Sequence, residues 1–264
     1  MRRVFTIAHT VWLEMVRRKD MYVLLVLLLT LLFVLMSLNV FGLAGMVRHV
    51  LDTGLLLTWL FGWVLAVNVS TRQLPREESQ RTIYPLLAKP VSRAELLVGK
   101  WLGACTITGA ALVVFYLAIL LLTLLRGGRG AFNWVTAGQA FFLHFVFVAI
   151  VAAVGTMLST RMNYDASASI SYVLTLGAFL IVPRVPHLVT LETGFTRGGL
   201  LVLYYLLPHL ELFDLRRRLV HDWGPANWSA ILFSVAYGLL LVAACLLLAW
   251  LGYRKKRFSR SDAI

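Results

Sequence analysis

The sequence predicts an all-α polytopic membrane protein with six transmembrane helices, an amphipathic N-terminal interfacial helix and both termini in the cytoplasm. Three observations carry that expectation. Of 264 residues, 60% are hydrophobic and only 14% charged, whereas a soluble domain carries about 25% charged and about 45–50% apolar residues. The apolar residues gather in runs of the length, about 20 residues, that crosses a bilayer as a helix. The basic residues fall mainly on one set of alternate connections, as topology demands. The mean hydropathy of +0.81 excludes a soluble enzyme, a disordered tail and a secreted disulfide scaffold. The formal net charge of +13, from 25 Lys and Arg against 12 Asp and Glu, therefore reads as topology, with no nucleic-acid partner.

Residues 1–20 come first and read as the interfacial helix. Arg3, Thr6, Thr10, Glu14 and Arg17 share one helical face, and Val4, Ala8, Val11, Trp12 and Met15 lie opposite. Basic flanks with a Trp on the apolar side suit a helix lying in the cytoplasmic interface; the alternative is an extension of the first span. The spans are expected at 22–41, 53–70, 101–125, 136–158, 166–183 and 230–251. The first run exceeds the 7–15 residues of a signal-peptide core, roughly speaking, and so reads as an uncleaved anchor. Arg17-Arg18 serves as its flanking charge. The stretch 198–208 is apolar but too short to cross, which makes it interfacial or re-entrant. Cys105 and Cys245 fall within spans and indicate neither a disulfide nor a metal site.

With the N-terminus inside, the cytoplasmic segments hold most of the basic residues. These are Arg2, Arg3, Arg17, Arg18 and Lys19, then the run from Arg72 to Lys100, then Arg161, and finally Arg254, Lys255, Lys256, Arg257 and Arg260. The second connection, 71–97, is the most polar part of the chain. Pro75 followed by Glu77 and Glu78 fits a helix start. Pro85 is expected to interrupt that helix and Pro90 to mark a further break. Ser92-Arg93-Ala94-Glu95 matches a capping box and should open the third span. Such a piece serves either as a docking element or as a solvated connector. The long outside loop, 184–227, is mostly helix-compatible. It carries His209 and Asp214 at a spacing that some acyltransferases use, although helix caps and interfacial contacts account for both residues.

The span cores lack Asp, Glu, Lys and Arg, the usual ion and proton relays of self-powered transporters. His144 is their one titratable residue of that sort, and a lone His on a span reads as packing. Gly99-Lys100 lacks the rest of a P-loop, and zincin and serine-hydrolase signatures are absent. The chain is therefore expected to be non-catalytic and to draw its energy from a partner that meets the 71–97 loop.

That loop carries a resemblance. Glu77-Glu78-Ser79-Gln80-Arg81-Thr82-Ile83-Tyr84-Pro85-Leu86-Leu87-Ala88-Lys89-Pro90-Val91-Ser92-Arg93, continuing through Glu95 to Gly99-Lys100, resembles the cytoplasmic loop of type-2 ATP-binding-cassette exporter permeases. The closest branch is the one grouped with permeases of multicopper-enzyme maturation. Gly155 to Thr160, Leu207 to Phe213 and the basic-aromatic end from Arg254 to Asp262 match in the expected order. The resemblance implies a bacterial inner-membrane exporter subunit that works with a second permease subunit, a homodimer or a close paralogue. It also implies two copies of a cytoplasmic ATPase, which bind the ATP and Mg; this chain would hold no cofactor. It makes Glu77 to Tyr84 a coupling helix, with Glu77, Glu78, Arg81, Thr82, Tyr84, Pro90 and Arg93 as the coupling residues. Arg81 stands where many relatives have Gly. Arg161 and Asp165 become a second cytoplasmic contact. A membrane scaffold or regulatory subunit that translocates nothing is the alternative.

Overall fold

The computed structural model describes residues 2–17, most positions of 22–34, and residues 46–80, 92–127 and 132–254. Among them the chain is helical and contains no strand. In chain order the helices are α1 (Arg2–Val16), α2 (Met46–Ser79), α3 (Arg93–Gly127), α4 (Trp134–Ser159), α5 (Tyr164–Ile181), α6 (Val185–Leu191), α7 (Gly194–Leu206), α8 (Arg216–Val220) and α9 (Trp228–Tyr253). Five long apolar stretches have the length and composition to cross a membrane: α2, α3, α4, α5 continued through α6, and α9. α7 and the segment that follows it are bent by 44° and pass the same test together, as a broken span or a re-entrant loop. The described positions from Tyr22 to Val34 are helical; the rest of the first expected span lies outside the described residues.

Two elements run further than the apolar runs alone indicate. The second expected span, 53–70, is the middle of α2, which continues to Ser79 with Pro75 inside it. Pro75 thus does not start a new helix, and residues 71–79 belong to α2 rather than to a loop. The reason lies in packing: Leu74, one residue before the proline, is fully buried with Leu96, Leu97, Ala249 and Tyr253. That burial holds the turn although Pro75 has no N–H to donate to the Thr71 carbonyl. The fifth expected span, 166–183, likewise continues. A single 3₁₀ turn (Val182–Arg184) leads into α6, and Pro183 and Pro186 both sit at first-turn positions where the missing N–H costs nothing.

α4 is the axis of the bundle and packs against α2, α3, α5 and α9. Its sequence explains the role. Ala149, Ala152, Ala153 and Gly155 are small enough to let neighbouring backbones approach, which drives helix association where lipid removes the hydrophobic contrast. Gly155 meets Ser70 of α2 so closely that a Cβ would collide with Ser70 Oγ. Asn133 opens α4 as its N-cap, accepting from Val135 N and Thr136 N; Asn163 does the same for α5, accepting from Ala166 N.

α1 docks on α3. Ile7, Ala8, Val11 and Met15 are buried, and they meet α3 where Gly99 and Gly103 leave no room for a side chain: a Cβ would lie 2.8 Å from Ile7 and 2.7 Å from Val11. Phe5, Trp12 and Leu13 stay exposed on an adjacent side, while Arg3, Thr6, Thr10 and Arg17 are exposed on the other. The helix is three-sided, with one side for the bundle, one apolar side and one polar side.

Gly155→Ala is expected to destabilise the bundle by about 1–3 kcal/mol through overpacking. Ser70→Ala in the same chain should recover most of that loss, and thermal unfolding of the two variants in nanodiscs checks it.

Candidate functional site

One end of the bundle collects the ends of five elements: α1, the last turns of α2, the start of α3, the α4–α5 turn and the last turn of α9. A small core of Ile7, Leu74, Leu96, Leu97, Ala249 and Tyr253 ties four of them together. Around that core sits a set of ionic contacts between helices.

Glu77, in the last turn of α2, pairs with Lys100 in the second turn of α3. The Lys100 side chain is 3% exposed and that of Glu77 is 17%, so this is a buried ion pair. Removing one member of such a pair costs about 3–5 kcal/mol, because the other is left charged without compensation. Arg76 reaches Glu14 of α1 at 3.0 Å, in a half-exposed pair. These two contacts fasten a single turn of α2 to both α3 and α1.

α3 starts as its sequence predicts. Ser92 Oγ accepts from Glu95 N at 3.2 Å, and Glu95 accepts from Ser92 N at 2.8 Å, completing the capping box. Arg93 then turns to α9 and donates to the carbonyls of Tyr253 (2.6 Å) and Arg254 (2.7 Å). A guanidinium on the last carbonyls of a helix satisfies acceptors that the helix leaves open, and it sits at the favourable end of the dipole.

The α4–α5 turn brings in the second pair of expected residues. Arg161 is exposed and its guanidinium lies against Gly252 of α9, where a Cβ would meet Nε at 2.7 Å. Asp165 is exposed in the first turn of α5, an acid at the positive end of the dipole. Beside it, Arg72 of α2 lies over the Tyr164 ring at 4.7 Å. Tyr164 OH donates to Asn68 Oδ1 at 2.8 Å, and Asn68 Nδ2 donates to Tyr172 OH at 2.9 Å. The structure therefore gathers Glu77, Glu78, Arg93, Arg161 and Asp165 at one end of the molecule. Arg81, Thr82, Tyr84 and Pro90 lie outside the described residues. Sequence reasoning missed Lys100, Arg76 and Glu14 as partners. The sequence offered no signal for them, because Pro75 made Glu77 read as the start of a helix, whereas it stands in the last turn of α2.

The opposite end is closed by residues 207–227, folded onto the bundle. Leu210, Phe213, Leu219 and Val220 are buried, and the Gln139 side chain exchanges two hydrogen bonds with the backbone of Ala226. His209 Nδ1 lies 3.0 Å from Glu211 Oε1, whereas Asp214 accepts two hydrogen bonds from the Arg216 guanidinium. The His209–Asp214 dyad is therefore not assembled. The Arg216 guanidinium lies 5.2 Å over the Trp59 ring of α2, which packs in turn on Phe147 and Phe179. His144 is buried beside Trp59, with its Nδ1 3.3 Å from Tyr116 OH, as a packing residue. Among the described residues, no group of three His, Cys, Asp or Glu gathers in a way that holds a metal ion.

Arg93→Met is expected to release the end of α9. The loss of two charge-assisted hydrogen bonds should speed amide exchange over residues 250–254 by about tenfold or more, with α1 unaffected, and hydrogen-exchange mass spectrometry in nanodiscs reads both.

A family model described as ABC-2 family transporter protein matches residues 6–263. The chain is also similar to the ABC transporter permease protein NatB of Bacillus subtilis (strain 168), at 27% identity over 197 residues, which cover 70% of this chain and 47% of that protein. The chain thus spans about half the length of this curated relative.

Proposed function

The chain belongs to the ABC-2 transporter family, and from that premise we propose that it is the membrane subunit of an ATP-driven exporter in a bacterial cytoplasmic membrane. ATP and Mg bind to two copies of a separate cytoplasmic ATPase, and a second permease subunit, identical or closely related, completes the membrane part. The observation that carries the reading is the convergence of Glu77, Glu78, Arg93, Arg161 and Asp165 on one end of the bundle, where the chain leaves α2 and re-enters α3. On this reading that end is cytoplasmic, as are both termini. Glu78, Arg81, Thr82 and Tyr84 meet the ATPase, and Arg161 with Asp165 forms a minor second contact.

The mechanical argument rests on α2. A helix of 34 residues transmits displacement along its length through its hydrogen-bonded turns, and at Pro75, where one such bond is missing, the contacts of Leu74, Arg76 and Glu77 carry it across. Closure of the ATPase dimer on ATP would move the 81–91 loop. α2, packed on α4 through Gly155, would carry that movement into the bundle as rigid-body rocking. Relay chemistry inside the spans is not needed for this. The work enters from outside the membrane, in keeping with span cores free of Asp, Glu, Lys and Arg.

The joint replacement Glu78→Ala, Arg81→Ala and Tyr84→Ala is expected to weaken co-purification with the ATPase encoded beside this chain by about tenfold or more, as the loss of interface anchors does. Unchanged association overturns the assignment of the coupling loop. Substrate uptake into inside-out vesicles, measured on the assembled complex, separates an exporter from a scaffold that translocates nothing.

A further inference from the structure

We infer that Lys100 is a positioning residue for the coupling loop: through Glu77 it locks the last turn of α2, beyond the Pro75 break, onto α3. The inference rests on the reading of 81–91 as the loop that meets the ATPase. The lock itself rests on geometry described above.

The turn it holds is weak on its own. Pro75 lacks the N–H that ties one turn to the turn before it. One turn earlier, Ser70 and Thr71 spend their hydroxyls on the carbonyls of Ala66 and Val67 within α2, which gives no hold on a neighbour and tends to bend a helix. The buried amide of Gln73 finds no hydrogen-bond partner among the described residues. Past the proline the helix runs only from Arg76 to Ser79, and Glu77 faces the disfavoured end of the dipole there.

An acid so placed is retained for its partner, and the partner is the more deeply buried of the two. Lys100, at 3% exposure, follows Gly99, where Ile7 of α1 packs. A long basic side chain free to snorkel to water would do so; this one is turned inward to Glu77. Arg76 and Glu14 fix the same turn to α1 from the exposed side. The last turn of α2 is therefore a hinged piece held at two points, with the buried point on α3. Residues 81–91 run between the two helices that this pair joins. On the reading above, the pair therefore sets where the chain leaves α2 and where it re-enters α3.

The pair makes a demand that packing alone would not make. Exchanging the charges, Glu77→Lys with Lys100→Glu, keeps the ion pair and puts the basic member in the last turn of α2, where the dipole favours it. The exchanged chain should hold the turn at least as well as the original.

A nitroxide on Gln80→Cys, in the full chain with Cys105→Ala and Cys245→Ala and embedded in nanodiscs, reports on the turn by its spectral mobility. Lys100→Met and Glu77→Gln are each expected to raise the mobile fraction about fivefold, as the loss of a strongly coupled pair does, and the exchanged chain to restore it. An unchanged spectrum in Lys100→Met overturns the lock. So does failure of the exchanged chain to restore immobility while it remains monodisperse. Lys100→Arg, which keeps the charge, controls for folding and should retain an immobile label. In the complex, Lys100→Met should keep the ATPase bound yet lower transport per ATP hydrolysed. A label that responds as expected on a chain to which no ATPase binds leaves the lock standing and overturns the proposed function.

Discussion

The close approach of α2 to α4 is the contact on which the rest of the molecule depends. Gly155 removes the side chain that would keep the helices apart, and the Ser70 hydroxyl, turned back to the Ala66 carbonyl, fills the space without leaving a donor unpaired. In a bilayer there is little to gain from burying one leucine against another, because lipid already provides an apolar surround; van der Waals packing between small residues provides the specificity. α4 therefore spends its composition on Ala and Gly where α2 and α3 approach it. The larger aromatic groups, Trp59, Phe147 and Phe179, fill the wider part of the bundle.

That contact turns α2 into a rod with a different attachment at each end. Near one end Trp59 lies under the Arg216 guanidinium and against α4 and α5. Near the other, Arg72, Arg76 and Glu77 reach α5, α1 and α3 respectively. The rod is stiff where it is packed and loosest at Pro75, and the ionic contacts cluster just where the backbone ladder is interrupted. Buried charges are costly unless paired, so their presence at this joint marks it as a place where geometry is held by something other than the helix itself.

The sequence and the structure agree where local chemistry decides and part where tertiary contacts do. The five long helices were legible because apolar length is a local property, and the Ser92–Glu95 box was legible because a capping box is a four-residue pattern that needs no partner. The end of α2 was not. Charged residues and Pro75 read as a break from the hydrophobic run, but Leu74 is buried among residues of α3 and α9 that lie far along the chain, and that contact outweighs the proline. For the same reason the contacts of Glu77 and Arg93 were not legible. Glu77 and Arg93 stand out in the loop motif, while their partners, Lys100 and the end of α9, are set by the fold. The face of α1 that carries Ala8, Val11 and Met15 was predicted as apolar, and the helix proved to divide that apolar surface. Its glycine-matched strip goes to α3, and Trp12 is left outward.

The two ends of the bundle differ in how their charges are used. At the far end the polar contacts of the charged residues are local: the His209–Glu211 contact and the Asp214–Arg216 ion pair each join residues two apart in one segment. A displacement there can alter the segment while leaving every pair intact, because both partners move together. At the α1 end the pairs join different helices: Glu14 with Arg76, Glu77 with Lys100, and Arg93 with the carbonyls of α9. A displacement of any one of these elements either drags its partners or breaks a charged contact, and breaking one is expensive where Lys100 is buried. The α1 end thus joins its helices through charged contacts, whereas the far segment is held to the bundle by the Gln139–Ala226 hydrogen bonds, the Arg216–Trp59 contact and its buried apolar side chains.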